Sequence, residues 1–136
     1  QKNLLKKIAK KGLEKGWIYF YGKTYNESEL SKLIYSSDLM VSPGNTGLNA
    51  VHALSYGTPV GTHNNFNNQM PEAAIIEDKM TGFFFNENDI EDLSLKIDLW
   101  FSKFNINLNR AQRRRIINEK YNSKYQIKEI LKALNK

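Results

Sequence analysis

Apolar residues recur along this chain in two rhythms that alternate. Leu4, Leu5, Ile8, Ala9 and Leu13 are spaced as one face of a helix over residues 1–15, with lysines between them. Trp17-Ile18-Tyr19-Phe20-Tyr21 is a short aromatic and β-branched run, which predicts a strand ended by Gly22. Asn26 stands where a helix cap belongs, ahead of Leu30, Leu33 and Ile34, with Glu29 three residues on in the capping-box place. Leu39-Met40-Val41 predicts a second strand ending at Ser42-Pro43. A helical run then ends at Gly57, and Pro59-Val60-Gly61-Thr62 predicts a third strand. The polar loop His63–Met70 leads to a short helix opened by Pro71, where proline is tolerated. Gly82-Phe83-Phe84-Phe85 predicts a fourth strand. Two or three helices close the chain: one carries Leu93, Ile97 and Trp100, another Ile116 and Ile117, the last Ile127, Ile130, Leu131 and Leu134. Phe104–Asn109 reads as a break between two of them.

Short strands alternating with helices point to βαβ units and an α/β fold, a Rossmann-like parallel sheet with helices on both faces. The strands are apolar throughout, as buried parallel strands are. No internal repeat, low-complexity stretch or linker divides residues 1–136, so one domain is expected. The first residues lack an initiator Met and start in mid-helix, which reads as a fragment of something longer.

Composition narrows the classes. The chain has 136 residues, 40% hydrophobic and 25% charged, enough for a packed core. It has no cysteine, which excludes a disulfide scaffold and a thiolate metal site. No apolar run approaches the roughly 20 residues of a membrane span. The net charge of +6 favours phosphate-bearing partners or an anionic membrane surface. Arg113-Arg114-Arg115 reads as a solvated helix face. No aromatics interleave with it as a single-strand nucleic-acid binder requires, so no nucleic-acid partner is expected.

In an open α/β sheet, ligands bind beyond the carboxyl ends of the strands. The segments expected there are Gly22–Tyr25, Ser42–Gly47, His63–Met70 and Asn86–Asn88, rich in Gly, Asn and hydroxyl groups. Ser42–Gly47 leads into a helix, whose first turn offers free N–H groups and a positive dipole end to phosphate. Thr46 or Asn45 can cap that helix. Asn45, Asn49, His52 and Tyr56 fall on one stripe of it, with Leu48, Val51 and Leu54 on the core side. His52 lies six residues past Thr46, roughly 9 Å along a helix axis. A phosphate at the helix start and a sugar hydroxyl near His52 can then belong to one ligand. A His in a satisfied hydrogen bond at a helix interface fits the same pattern. His52 and His63 suggest a metal pair only weakly, since no carboxylate or thiol joins them at ligand spacing, and no metal is expected. No Walker motif and no complete G-x-G-x-x-G is present.

The segments "VSPGNTGLNAVHALSYGTPV" and "MPEAAIIEDKMTGFFF", with "WIYFYGK" and "ESELSKLIYSSDLMVSP" upstream, resemble the carboxy-terminal domain of retaining glycosyltransferases of family 4, which have the GT-B fold. The resemblance covers nearly the whole chain. It implies a domain that binds a nucleotide-sugar donor, most simply a UDP-sugar, without a metal or other cofactor. The first strand-helix units of such a domain, and the amino-terminal acceptor domain, would be missing. It implies that the backbone amides of Thr46, Gly47 and Leu48 meet the donor phosphates, and that Lys23 and Thr24 lie against the base. The family's signature is two glutamates eight residues apart. Gly44 and His52 hold those positions here, with Asn45 between them in the same loop. Imidazole can bond ribose hydroxyls as the second acid does; Gly44 can supply no charge. Glu72, in the Pro-Glu dipeptide, is the acid nominated for catalysis. The implied setting is cytoplasmic transfer to a lipid-linked or saccharide acceptor at the inner membrane, in the building of bacterial surface polysaccharide. A nucleotide-sugar epimerase of related architecture, or a non-catalytic nucleotide-binding domain, are the alternatives.

Overall fold

The structure, a computed structural model, describes residues 2–104 and 109–134. Three parallel strands form one sheet in the order β1 (Met40–Ser42), β2 (Val60–His63), β3 (Gly82–Phe85). Met40 pairs with Val60, and Val60 in turn with Gly82. The remaining elements are α1 (Lys2–Ile8), α2 (Lys10–Glu14), α3 (Glu27–Ser36), α4 (Leu48–Ser55), α5 (Ile90–Leu99), α6 (Arg110–Lys120) and α7 (Ser123–Leu134). The fold is α/β with a Rossmann-like parallel arrangement.

Alternation along the strands divides the core into two layers. On one face Val60 packs with Ala50, Ala53 and Leu54 of α4, with Ile75 and Ile76, and with Ile117 of α6. The two alanines present only methyl groups, which lets α4 lie close to β2. On the other face Phe83 and Phe85 pack with Trp100, supported by Leu93 and Ile97 of α5. Helices therefore cover both faces, and β2 is buried along its whole length. Gly61 is needed there, because a methyl group at its Cα would stand 2.5 Å from the Phe83 ring.

Several helix ends follow their sequence signals. Asn26 Oδ1 accepts from the Glu29 N–H at 3.2 Å, and Asp89 caps α5 in the same way. Asn109 and Gln112 close a reciprocal capping box at α6. Glu29 does not complete such a box at α3; its carboxylate accepts from the hydroxyls of Thr24 and Tyr21 instead.

Other expectations change. Residues 17–21 form no strand: the Trp17 and Ile18 N–H groups both donate to the Gly12 carbonyl, folding the segment back on α2. A strand holds its shape through a neighbour's backbone, and no described strand pairs with this one. The helix expected over 1–15 is interrupted at Ala9. The Pro71 segment is a 3₁₀ turn, Pro71–Ile75, and α5 runs on through a wider π turn to Phe104. The break expected at 104–109 lies largely on 105–108, outside the described residues. Leu48, expected in the core, is 71% exposed at the first turn of α4. Of the arginine triplet, Arg114 and Arg115 lie on a solvated face as expected, but Arg113 does not. Arg113 is 4% exposed, donates to the Met80 carbonyl and lies 5.5 Å from the centre of the Trp100 ring. Burial, then the nearby Arg110, pulls its pKa down. Arg115 pairs with Glu119 at 3.0 Å.

Candidate functional site

The carboxyl ends of all three strands open into one cleft of about 540 Å³. Pro43, Gly44 and Asn45 line it from beyond β1. His63 and the segment Asn67–Met70 line it from beyond β2, and Glu87 and Asn88 from beyond β3. This is the polar edge at which ligands of open parallel sheets bind.

The β1–α4 loop owes its shape to side chains brought from elsewhere. Gln69 Oε1 accepts from the Thr46 N–H at 2.6 Å, and its amide donates to Thr62 Oγ1 and the His63 carbonyl, each at 2.9 Å. Asn49, the second residue of α4, accepts from the Gly47 N–H at 2.7 Å and from Thr46 Oγ1 at 3.1 Å. Its amide donates to Ser42 Oγ. Neither Thr46 nor Asn45 caps α4. Gly47 is the cap residue, and Asn49 supplies from within the helix the acceptor that a cap side chain would provide. Thr62 Oγ1 completes the loop by donating to the Ser42 carbonyl.

Of the residues nominated from sequence, Gly44 and Asn45 line the cleft. Thr46 lies buried beneath it, with its N–H and that of Gly47 already bonded within the protein. The Leu48 N–H makes no such bond among the described residues. Glu72 sits against the same turn: a methyl group added to Gly47 would stand 3.8 Å from Glu72 Oε2. That oxygen is buried and has no hydrogen-bond partner among the described residues. His52 is exposed on α4 and makes no hydrogen bond among the described residues, unlike a satisfied interface histidine. Lys23 and Thr24 do not line the cleft. Thr24 bonds Glu29 just ahead of α3, and that contact, then Tyr21, holds the Glu29 carboxyl below its ordinary pKa.

The structure adds residues that the motif reading passed over. His63 is 2% exposed, and its Nδ1 accepts from the Asn65 N–H at 3.3 Å. Its Nε2 stands 3.8 Å from Glu87 Oε1. Glu87 in turn accepts from Asn65 and Asn68 at 2.6 and 3.0 Å. These amides, Asn65 first, hold its carboxyl below the ordinary value. The signal for this network was the density of carboxamides in "HNNFNNQM", but single-residue motifs do not report it. His52 and His63 do not form the suspected pair: one is exposed on α4, the other buried at the end of β2. Among the described residues, no three His, Cys, Asp or Glu side chains gather as a metal-ligand group.

A sequence profile described as glycosyl transferases group 1 matches residues 1–123. The chain belongs to this family. No curated protein and no solved structure matches it significantly. A group 1 glycosyl transferase transfers a sugar, in general from a nucleotide-sugar donor to an acceptor. No helix among the described residues is long and apolar enough to cross a membrane.

Proposed function

We propose that this chain is the donor-binding part of a retaining glycosyl transferase of the GT-B type. Its donor would be a UDP-sugar, and its acceptor a lipid-linked or saccharide molecule in bacterial surface-polysaccharide synthesis at the inner face of the membrane. The observation that carries the reading is the convergence of the β1–α4 loop and the Asn-rich β2 loop on one cleft at the carboxyl strand ends. The donor diphosphate would lie at the first turn of α4, where the free Leu48 N–H and the dipole end favour an anion. His52, one face of α4 further on, would bond the ribose. Lys23 and Thr24 would approach the base once a donor is bound. No resident metal is invoked, because the Leu48 N–H and the helix start would stabilise the departing diphosphate.

Glu72 is the acid proposed for catalysis. Its unpartnered oxygen beside Gly47 stands at the loop where Gly44 supplies no charge. Calorimetry and crystal soaking with UDP test the site. The expected result is UDP contacting residues 44–52; UDP bound elsewhere would sink the assignment. A Glu72→Gln enzyme with wild-type turnover would remove Glu72 from the mechanism.

A further inference from the structure

The cleft has one carboxylate and neither Lys nor Arg in its lining. That carboxylate, Glu87, is built into place. Asn65 and Asn68 each give it one amide hydrogen. An ionised carboxylate accepts at roughly four lone-pair sites, so about half of its capacity is unused. Its side chain is 29% exposed, and it lines the cleft. Behind it stands the buried His63. Because the Asn65 N–H donates to Nδ1, the ring hydrogen belongs on Nε2, toward Glu87 Oε1. At 3.8 Å that approach is too long for a hydrogen bond. The imidazole therefore backs the carboxylate without occupying its lone pairs. Asn67 and Asn88 also line the cleft, and neither side chain makes a hydrogen bond within the described chain.

A carboxylate with free lone pairs beside unoccupied carboxamides matches neighbouring hydroxyl groups, each of which donates and accepts. It is a poor match for phosphate, which would meet a like charge with no cation in the lining. We propose that the Glu87 end of the cleft is a hydroxyl-binding subsite, where Glu87 accepts from sugar hydroxyls and Asn67 and Asn88 complete their hydrogen bonds. This rests on the donor-binding reading and deepens it by orienting the ligand: the anionic part lies toward Gly44–Gly47, the neutral sugar toward β3. The hydroxyls can come from the donor sugar or from an acceptor saccharide.

Calorimetry on the chain separates these. UDP and a panel of UDP-hexoses and UDP-N-acetylhexosamines are titrated into wild type and Glu87→Gln, with thermal melting as a check on folding. UDP affinity is expected to agree within about twofold, and the affinity added by the sugar to fall about tenfold in the variant, as for loss of a charge-assisted acceptor. Asn67→Ala, which removes no internal bond among the described residues, is expected to shift it in the same direction by less. If the donor's sugar gain survives, but free mono- and disaccharides no longer bind the UDP-saturated variant, the subsite holds the acceptor. Equal sugar binding by wild type and both variants in both arms overturns the subsite while UDP binding upholds the nucleotide reading. Failure of UDP and every UDP-sugar to bind wild type overturns both.

Discussion

Gln69 accepts a hydrogen bond from the Thr46 N–H at 2.6 Å, reaching across 23 residues of sequence. Through its amide it also holds Thr62 and the His63 carbonyl, so one side chain ties the β1–α4 loop to the end of β2. Gln69→Leu keeps the bulk and strands these groups. Leaving a buried donor or acceptor unpaired costs about 1–3 kcal/mol. A loss of about 2 kcal/mol, read as a urea midpoint lower by about 1 M, is expected. An unchanged midpoint would show that water replaces the amide freely.

Leu48 and Leu54 lie six residues apart on α4 and should respond in opposite ways. Leu54 is fully buried and Leu48 is 71% exposed. Leu54→Ala is expected to cost about 2–5 kcal/mol by opening a cavity. Leu48→Ala should stay within about 0.5 kcal/mol. Equal costs in denaturant titrations would contradict the orientation of α4.

His52 is exposed and makes no hydrogen bond among the described residues, so His52→Ala should leave the unfolding midpoint unchanged. If the imidazole bonds the ribose, UDP affinity should fall about three- to tenfold, the size of one neutral hydrogen bond. Calorimetry that finds equal affinities would take His52 out of the site.

The Glu87 carboxyl titrates below its ordinary value of 4.5 because Asn65 and then Asn68 donate to the ionised form. A depressed folded pKa stabilises the native state above the unfolded value, and that contribution is lost as pH falls through the folded one. The stability difference between wild type and Glu87→Gln should be constant from pH 7 to about 5. It should shift against wild type as pH drops below 4.5. Urea midpoints across pH 7 to 3 read this directly, and parallel curves would mean that the amides do not hold the charge.

Gly57 ends α4 with φ of 72°, and a methyl group there would stand 2.2 Å from the Arg110 carbonyl. Gly57→Ala must strain the backbone or push α6 away, so a loss above about 1 kcal/mol is expected. Thermal unfolding that matches wild type would show that α6 yields without cost.

Local sequence determined the elements whose signals lie within a few residues. Gly82–Phe85 forms a strand where the aromatic run predicted it, Asn26 caps α3, and Leu54 of α4 is buried on the expected core side. The same alternation of elements was enough to specify a parallel sheet, and with it the edge where ligands bind. Tertiary structure decided what depends on distant partners. Trp17–Tyr21 has strand composition but no described strand to pair with, so composition alone misled. Arg113 looked like surface until Trp100 and the Met80 carbonyl gave its charge a buried seat. The role of Gln69, and the joining of His63, Asn65, Asn68 and Glu87 into one network, arise only when the loops after β2 and β3 meet. A hydrogen bond needs a partner within about 3 Å, and which residues come that close is set by how the loops and strands pack rather than by their spacing in the chain.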